Sequence, residues 1–389
     1  MLRTLYSVAF LGLAASLFIA CDDENDAKSL RPSINYNSLD TAVAYSDQFV
    51  DENGATTVDV TPGNNVHKMF QGLNYYNSSS ISGNAQIDAA KLEALFTNTG
   101  NPFVDVTTST ISIIGQDLNS SGLSIEDHVV TSLSGSERQT VINHFTGLFD
   151  DIATASLSVG QPASKGVAGK IENYLVDANG IEVTQVIQKS LIGALQLDYI
   201  GNYLMDEGLN ADNSSLVAEE NYTALEHNWD IAYGLLTLNP IYLRGSTEKK
   251  KKTVEFAAGA YIWEYNKASY AKIYEAFLKG RAAIVNNDRD ELQTQATFIR
   301  TEFEKALANA ALGYLGKWQS GTTEAARVHA FGEGLGFIYS LRFAKIHGAD
   351  AEFSDHIIEE LTSSEFGYWD LTVPKITHAA EEIEERFNL

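Results

Sequence analysis

Apolar residues recur at helical spacing through most of the chain beyond residue 80. "IDAAKLEALF", Ile87 to Phe96, is the first clear amphipathic helix. Before it, residues 41–80 are rich in Gly, Asn and Thr with β-like patches such as "TTVDV", and they read as extended or looped. The Ser/Thr/Gly-rich stretch from Thr107 to Gly122 reads as loop or hairpin. Ser136 and Gln139 have the spacing of a capping box ahead of "ERQTVINHFTGLFDDIATAS". "VTQVIQKSLIGALQLDYIGNYLMDEG", Val183 to Gly208, is apolar on nearly every face and predicts a central helix that stops at Gly208. The next stretch, "NADNSSLVAEENYTALEHNWDIAYGLL", predicts a helix capped by Asn213, Ser214 or Ser215, with Asn239-Pro240 closing the region. Helical periodicity continues through "FAAGAYIWEYNKASYAKIYEAFLKGRAAIVNND" and two further long stretches to an acidic amphipathic tail, Ile376 to Leu389. The pattern amounts to about eight to ten helices and no persuasive sheet, so the expected fold class is all-α, a helical bundle with an irregular N-terminal segment.

The extreme N-terminus breaks this pattern. Arg3 is followed by an apolar run from Leu5 to Ala20 and then by "DDEND". The run is too short to span a bilayer comfortably and no basic stop-transfer cluster follows, so residues 1–20 read as a signal peptide. Its end, "LFIAC", resembles the lipobox of bacterial lipoproteins through Leu17, Ile19, Ala20 and Cys21. That resemblance implies lipid on Cys21, which anchors without spanning. Residues 21–40 then form a polar tether, and 41–389 the folded part, a single unit or two packed bundles dividing near 207–216. The acidic "DDEND" resembles an export signal to the cell surface, and is equally readable as a solvated tether. The expected location is the outer membrane, periplasm-facing or surface-exposed.

Composition narrows the partners. The formal net charge is −24, which repels phosphate backbones and argues against nucleic acid as a partner. Such a charge suits cationic ligands and metal ions. Cys21 is the sole cysteine, so intramolecular disulfides and multi-cysteine metal sites are excluded, as is thiol catalysis in the folded part. The basic "STEKKKKT", with Lys249 to Lys252, reads as a solvated loop or a phosphate contact.

Four stretches together carry a family resemblance: "VIQKSLIGALQLDYIGNYL", "ALEHNWDIAYG", "YEAFLKGRAAIVNND" and "VHAFGEGLGFIYSLRF". They resemble the lipoproteins grouped as domain-of-unknown-function family 4856, which is similar to imelysin-like proteins. The resemblance covers the chain from about residue 36 onward. It implies an imelysin-like all-helical fold of two packed bundles, a link to iron uptake, and, from a label attached to some imelysins, metal-dependent peptidase activity. The imelysin signature is Gly-x-His-x-x-Glu on a helix. Here "LEHNWD" places Leu225 at the glycine, His227 at the histidine and Asp230 at the glutamate.

On a helix, Glu226, His227 and Asp230 are neighbours at three- and four-residue spacing, an arrangement that makes half a metal site. "HAFGEGLG" offers a second half in His329 and Glu333, also four apart. Gly332, Gly334 and Gly336 flank it, each costing about 1 kcal/mol in a helix, so close helix approach or a ligand should offset them. If the two helices meet, His227, Asp230, His329 and Glu333 converge on iron or another divalent metal. Arg281, inside an apolar helix, should pair with a buried acid, Glu226 or Glu333, or hold an anionic ligand. Three readings of the constellation stay open: a buried structural network, a ligand or metal site, and catalysis. The catalytic reading lacks His-Glu-x-x-His, Gly-x-Ser-x-Gly and phosphate-loop motifs. His67, His128, His347, His356 and His378 are expected at the surface. The functional expectation is a lipid-anchored envelope protein binding a ligand or metal. Its rivals are a metal-dependent peptidase and a non-catalytic module docking to an outer-membrane protein partner.

Overall fold

The structure is a computed structural model and describes residues 30–236 and 256–389. The expected signal peptide, Cys21, the acidic "DDEND", the Asn239-Pro240 break and the basic loop at Lys249 to Lys252 lie outside the described residues. The fold is all-α, with 64% helix against 5% strand.

The helices in chain order are α1 (Thr61–Ser82), α2 (Ala89–Thr97), α3 (Gly135–Ser156) and α4 (Val183–Leu191). Then come α5 (Ala224–Leu236), α6 (Ala258–Tyr265), α7 (Lys267–Asn286) and α8 (Arg289–Ser320). Last are α9 (Glu324–Ser340), α10 (Ala351–Thr362) and α11 (Val373–Phe387). Side-chain caps explain several starts: Asp88 accepts from the Ala90 N–H, Asp288 from Glu291, Thr323 from Ala326 and Asp350 from Phe353. Two small antiparallel hairpins complete the fold, β1 (Val106–Thr107) with β2 (Ser112–Ile113), and β3 (Gly169–Ile171) with β4 (Tyr174–Val176).

The apolar run after α4 behaves as its composition demands. It continues without a break as a π-helical segment, Ile192–Leu204, buried at every position except Tyr203. Its polar residues are consumed internally: Gln196 donates to the Leu235 carbonyl (2.7 Å) and accepts from the Ala258 N–H (3.0 Å). Asn202 donates to the Phe343 carbonyl (2.9 Å). Around this axis α4 packs on α9, α9 on α8, α8 on α7, and α5 on α1 and α7. The stretch 207–216, the expected boundary between bundles, is a turn and loop. The segments flanking it, Ile192–Leu204 and α5, pack on one another.

Five local expectations change. Residues 61–82, mostly inside the stretch expected to be extended or looped, form the 22-residue α1, with Pro62 in its first turn. Ser134, not Ser136, precedes α3, and Gln139 donates along the helix to Asn143 (2.9 Å) instead of closing a capping box. The stretch read as one helix from Phe256 to Asn286 breaks at Asn266, whose side chain donates to the Glu302 carbonyl (2.9 Å). α5 starts at Ala224, well past Asn213. Its cap is Thr223, whose hydroxyl accepts from the Glu226 N–H (3.2 Å) while Glu226 Oε2 accepts from the Thr223 N–H (2.8 Å). Thr-Ala-Leu-Glu is thus the capping box of this helix. The polar tether expected to run to residue 40 is held from Arg31 on. Arg31 bonds Glu226, Ile34 exchanges backbone bonds with the Asn286 side chain (2.7 and 2.9 Å), and the Tyr36 hydroxyl donates to Asp288 (2.8 Å).

Candidate functional site

The capping box fixes where Glu226 points. One turn on, Asp230 lies on the same buried face, and both carboxylates meet Arg281 of α7, all three side chains no more than 1% exposed. Arg281 donates from Nη1 to Glu226 Oε1 (2.7 Å) and from Nε to Asp230 Oδ1 (3.0 Å). Nη2 donates to the Thr57 carbonyl (3.1 Å) and hydroxyl (3.2 Å). The Tyr45 hydroxyl donates to Asp230 (2.7 Å), the Asp59 N–H donates to its other oxygen (3.3 Å), and the guanidinium lies over the Phe49 ring. Gly280 lets this happen, because a Cβ there would sit 2.0 Å from the Trp229 ring.

The two acids respond differently to one arginine. Burial pushes Asp230 up to about 6, only partly offset by Arg281 and Tyr45. Burial acts the same way on Glu226, but the charges of Arg281 and Arg31 and the Thr223 N–H outweigh it and hold the carboxyl below its usual value. Every polar group of this knot has a partner, which is the arrangement of a buried network holding helices together.

His227 does not join it. Its ring stacks on Tyr222 (4.5 Å between centroids), and its Nδ1 sits 3.7 Å from an Asp59 oxygen. Burial lowers its pKa. Among the described residues, Nδ1 makes no hydrogen bond.

The second half-site is built separately, between α4 and α9. Gly332 and Gly336 face α4: a Cβ at Gly336 would lie 2.5 Å from the Lys189 Cβ, and one at Gly332 would lie 3.0 Å from the Glu182 carbonyl oxygen. That approach brings Glu182 and Lys189 onto His329 and Glu333. His329 Nδ1–H donates to Glu182 Oε2 (2.7 Å), and Nε2 lies 3.4 Å from Glu333 Oε2. Lys189 Nζ bonds Glu333 Oε1 (2.9 Å), the Tyr261 hydroxyl reaches the same oxygen (3.3 Å), and Tyr174 stacks on the imidazole. The His329 side chain is 30% exposed; Glu333 and Glu182 are 8% and 6%.

Charge balance follows. Burial opposes the Lys189 cation, but Tyr261 and Glu333 keep its pKa above normal. Burial also opposes a charged His329, and the Glu182 hydrogen bond and the two carboxylates outweigh it and raise its pKa. A raised histidine pKa stabilises the fold below about pH 6.5, the unfolded value, and that stability is lost as pH rises through the folded value. With chelator present, unfolding free energy should fall from pH 6.5 upward, and His329→Gln should flatten that slope. Equal slopes in denaturant titrations of both proteins would remove this account.

The structure therefore brings Glu226, Asp230 and Arg281 together, and His329 with Glu333, but the converging set of His227, Asp230, His329 and Glu333 is not assembled. Among the described residues, no hydrogen-bond partner is common to the two networks. α5 turns its polar face to α7 and to residues 45–59 ahead of α1, whereas α9 turns His329 and Glu333 to α4 and its cap Glu182. Glu182, Lys189, Tyr261, Tyr45 and Asp59 were not singled out by sequence. Lys189 carried a weak signal: it is the one basic residue between Val183 and Leu204. Of the five histidines expected at the surface, three are half-buried. Burial drives the His67 pKa down to about 3, His128 is held by the Ser124 carbonyl (2.7 Å), and His347 by Glu304 (2.6 Å). His356 and His378 are exposed, as expected.

No helix among the described residues is long and apolar enough to cross a membrane. Comparison with curated proteins and with solved structures returns no match. A family model does match, over residues 45–389 and hence the whole helical body with both networks, and the chain belongs to that family, Domain of unknown function (DUF4856).

Proposed function

We propose that the chain is a lipid-anchored, non-catalytic binding protein of the outer membrane, and that its ligand is a divalent transition-metal ion, iron included, held by His329 and Glu333. The lipobox ending at Cys21 supports the anchor. One observation carries the ligand reading. Glu182 accepts the hydrogen bond of His329 Nδ1–H and leaves Nε2 aimed at Glu333 Oε2, 3.4 Å away. A carboxylate behind a histidine fixes its tautomer and raises its basicity, the usual support for a metal-bound imidazole. Imidazole with carboxylate suits iron and zinc. The metal would take the place of the Nε2 proton, so binding should release a proton and weaken as pH falls. Lys189 neutralises the outer oxygen of Glu333 and keeps the carboxylate ionised.

Calorimetric titration of the full chain with anaerobic Fe²⁺ and with Zn²⁺ tests this. His329→Ala should remove one equivalent, and Glu182→Gln should weaken that equivalent by roughly 10- to 100-fold. Wild-type stoichiometry in His329→Ala would leave the cluster as an internal ion network.

A further inference from the structure

The last two long helices carry a repeated spacing that neither network uses. α10 presents His356 and Glu360, and α11 presents His378 and Glu382; each pair is four residues apart and so shares one helix face. α10 and α11 pack on each other and bring the two faces together. His356 Nε2 lies 3.3 Å from Glu382 Oε1, His378 Nδ1 donates to Glu360 Oε2 at 2.8 Å, and His378 Nε2 is 3.9 Å from Glu382. Donor atoms of His356, Glu360 and Glu382 all fall within 4.8 Å of one another. The second oxygen of Glu382 is shielded from solvent and has no hydrogen-bond partner.

We propose that His356, Glu360 and Glu382 form a second metal site, for a divalent ion of the zinc type, with His378 orienting Glu360. One imidazole and two carboxylates make a three-ligand set that leaves a coordination position open to water or an incoming donor. A nitrogen ligand favours zinc-like ions over calcium or magnesium, which take oxygen throughout. The unpartnered Glu382 oxygen gains in the ion the partner it lacks in the protein. The site borders an open cleft of about 1010 Å³ flanked by Asp350, Glu352, Asp355, Glu359 and Glu385. Their summed negative field raises the local concentration of cations at its mouth. His378 donates to Glu360 as an outer-sphere group does, fixing the carboxylate's rotamer. The site shares no residue with the His329 cluster, so either can fail alone.

The test uses the chelator-stripped full chain carrying His329→Ala, which silences the first site. Zn²⁺ calorimetry should find one equivalent, and Co²⁺ should give visible absorption bands of low-symmetry coordination. Adding His356→Ala or Glu382→Gln should abolish both signals, and adding His378→Ala should weaken zinc binding by roughly 10- to 100-fold. His356 and His378 lie at the surface and Glu382→Gln keeps the shape of a partly exposed side chain, so the variants should melt as the parent does without metal. Zinc should raise the melting temperature of the parent alone. Two results overturn the proposal: zinc bound equally by the His356→Ala and Glu382→Gln variants, or calcium competing at the same concentration as zinc, the mark of a diffuse acidic surface.

Discussion

Arg281→Leu should cost the fold about 3–5 kcal/mol, the range seen when one partner of a buried ion pair is removed. The leucine fills part of the space, but it strands Asp230 with no counter-ion inside the core. Arg31 still pairs with Glu226; among the described residues nothing comparable reaches Asp230, which keeps Tyr45 and the Asp59 N–H. Asp230 should therefore take up a proton, and the variant should lose most stability at high pH and recover part of it in acid. Arg281→Lys should do little better, since an ammonium cannot serve Glu226, Asp230 and Thr57 from one planar fork. The triple variant Arg281→Met, Glu226→Gln, Asp230→Asn should recover part of the loss. Urea unfolding at two pH values measures all of this. A cost near 0.5 kcal/mol for Arg281→Leu would show that the knot does not hold α5 to α7.

The second large effect separates two glycines two residues apart. Gly336→Ala should destabilise by about 1–3 kcal/mol, the cost of overpacking. Its Cβ would meet the Lys189 Cβ at 2.5 Å and the Val186 carbonyl at 2.9 Å, so α4 and α9 must part. Gly334→Ala faces α8 instead, with Tyr314 Cβ at 3.6 Å as its nearest neighbour. It should stabilise by up to about 1 kcal/mol through helix propensity alone. Parting α4 from α9 also pulls Glu182 from His329, so Gly336→Ala should flatten the pH slope above 6.5 in the way His329→Gln does. Thermal melts of the two alanine variants decide the matter; matching shifts of the same sign would exclude helix approach as the reason for the glycines.

Much of the fold can be read from periodicity because one strong signal, the apolar stripe, decides it. The run from Ile192 to Leu204, apolar on nearly every face, is buried at every position but Tyr203, whereas α4 ahead of it leaves Gln185 and Gln188 half-buried. Arg281 announces its own answer, since an arginine in an apolar helix requires acids nearby. The misreadings arise where a short-range signal competes with another. Asn213, Ser214 and Ser215 all look like caps, yet Thr223 with Glu226 forms the reciprocal pair. Asn266 breaks a strongly periodic stretch because its side chain finds the Glu302 carbonyl. The candidate site shows a deeper limit. Spacing tells which residues share a helix face but not which helix that face meets. His227 and His329 each looked like half of one site, but His227 stacks on Tyr222 and His329 bonds Glu182. The α10–α11 pairing was hidden for the opposite reason: four polar residues on two exposed helices look like ordinary solvated surface.

The clasp formed by Arg31, Ile34 and Tyr36 has a consequence for reach. Under the proposed lipidation of Cys21, ten peptide steps separate the lipid-bearing residue from the first gripped residue, Arg31. Ten peptide steps, fully stretched at about 3.3–3.6 Å each, span at most about 35 Å. The attachment point, the α7–α8 corner where Asn286 and Asp288 hold the strap, would then stay within that distance of the bilayer. A partner in the same membrane would be within range, and one across a wide gap would not.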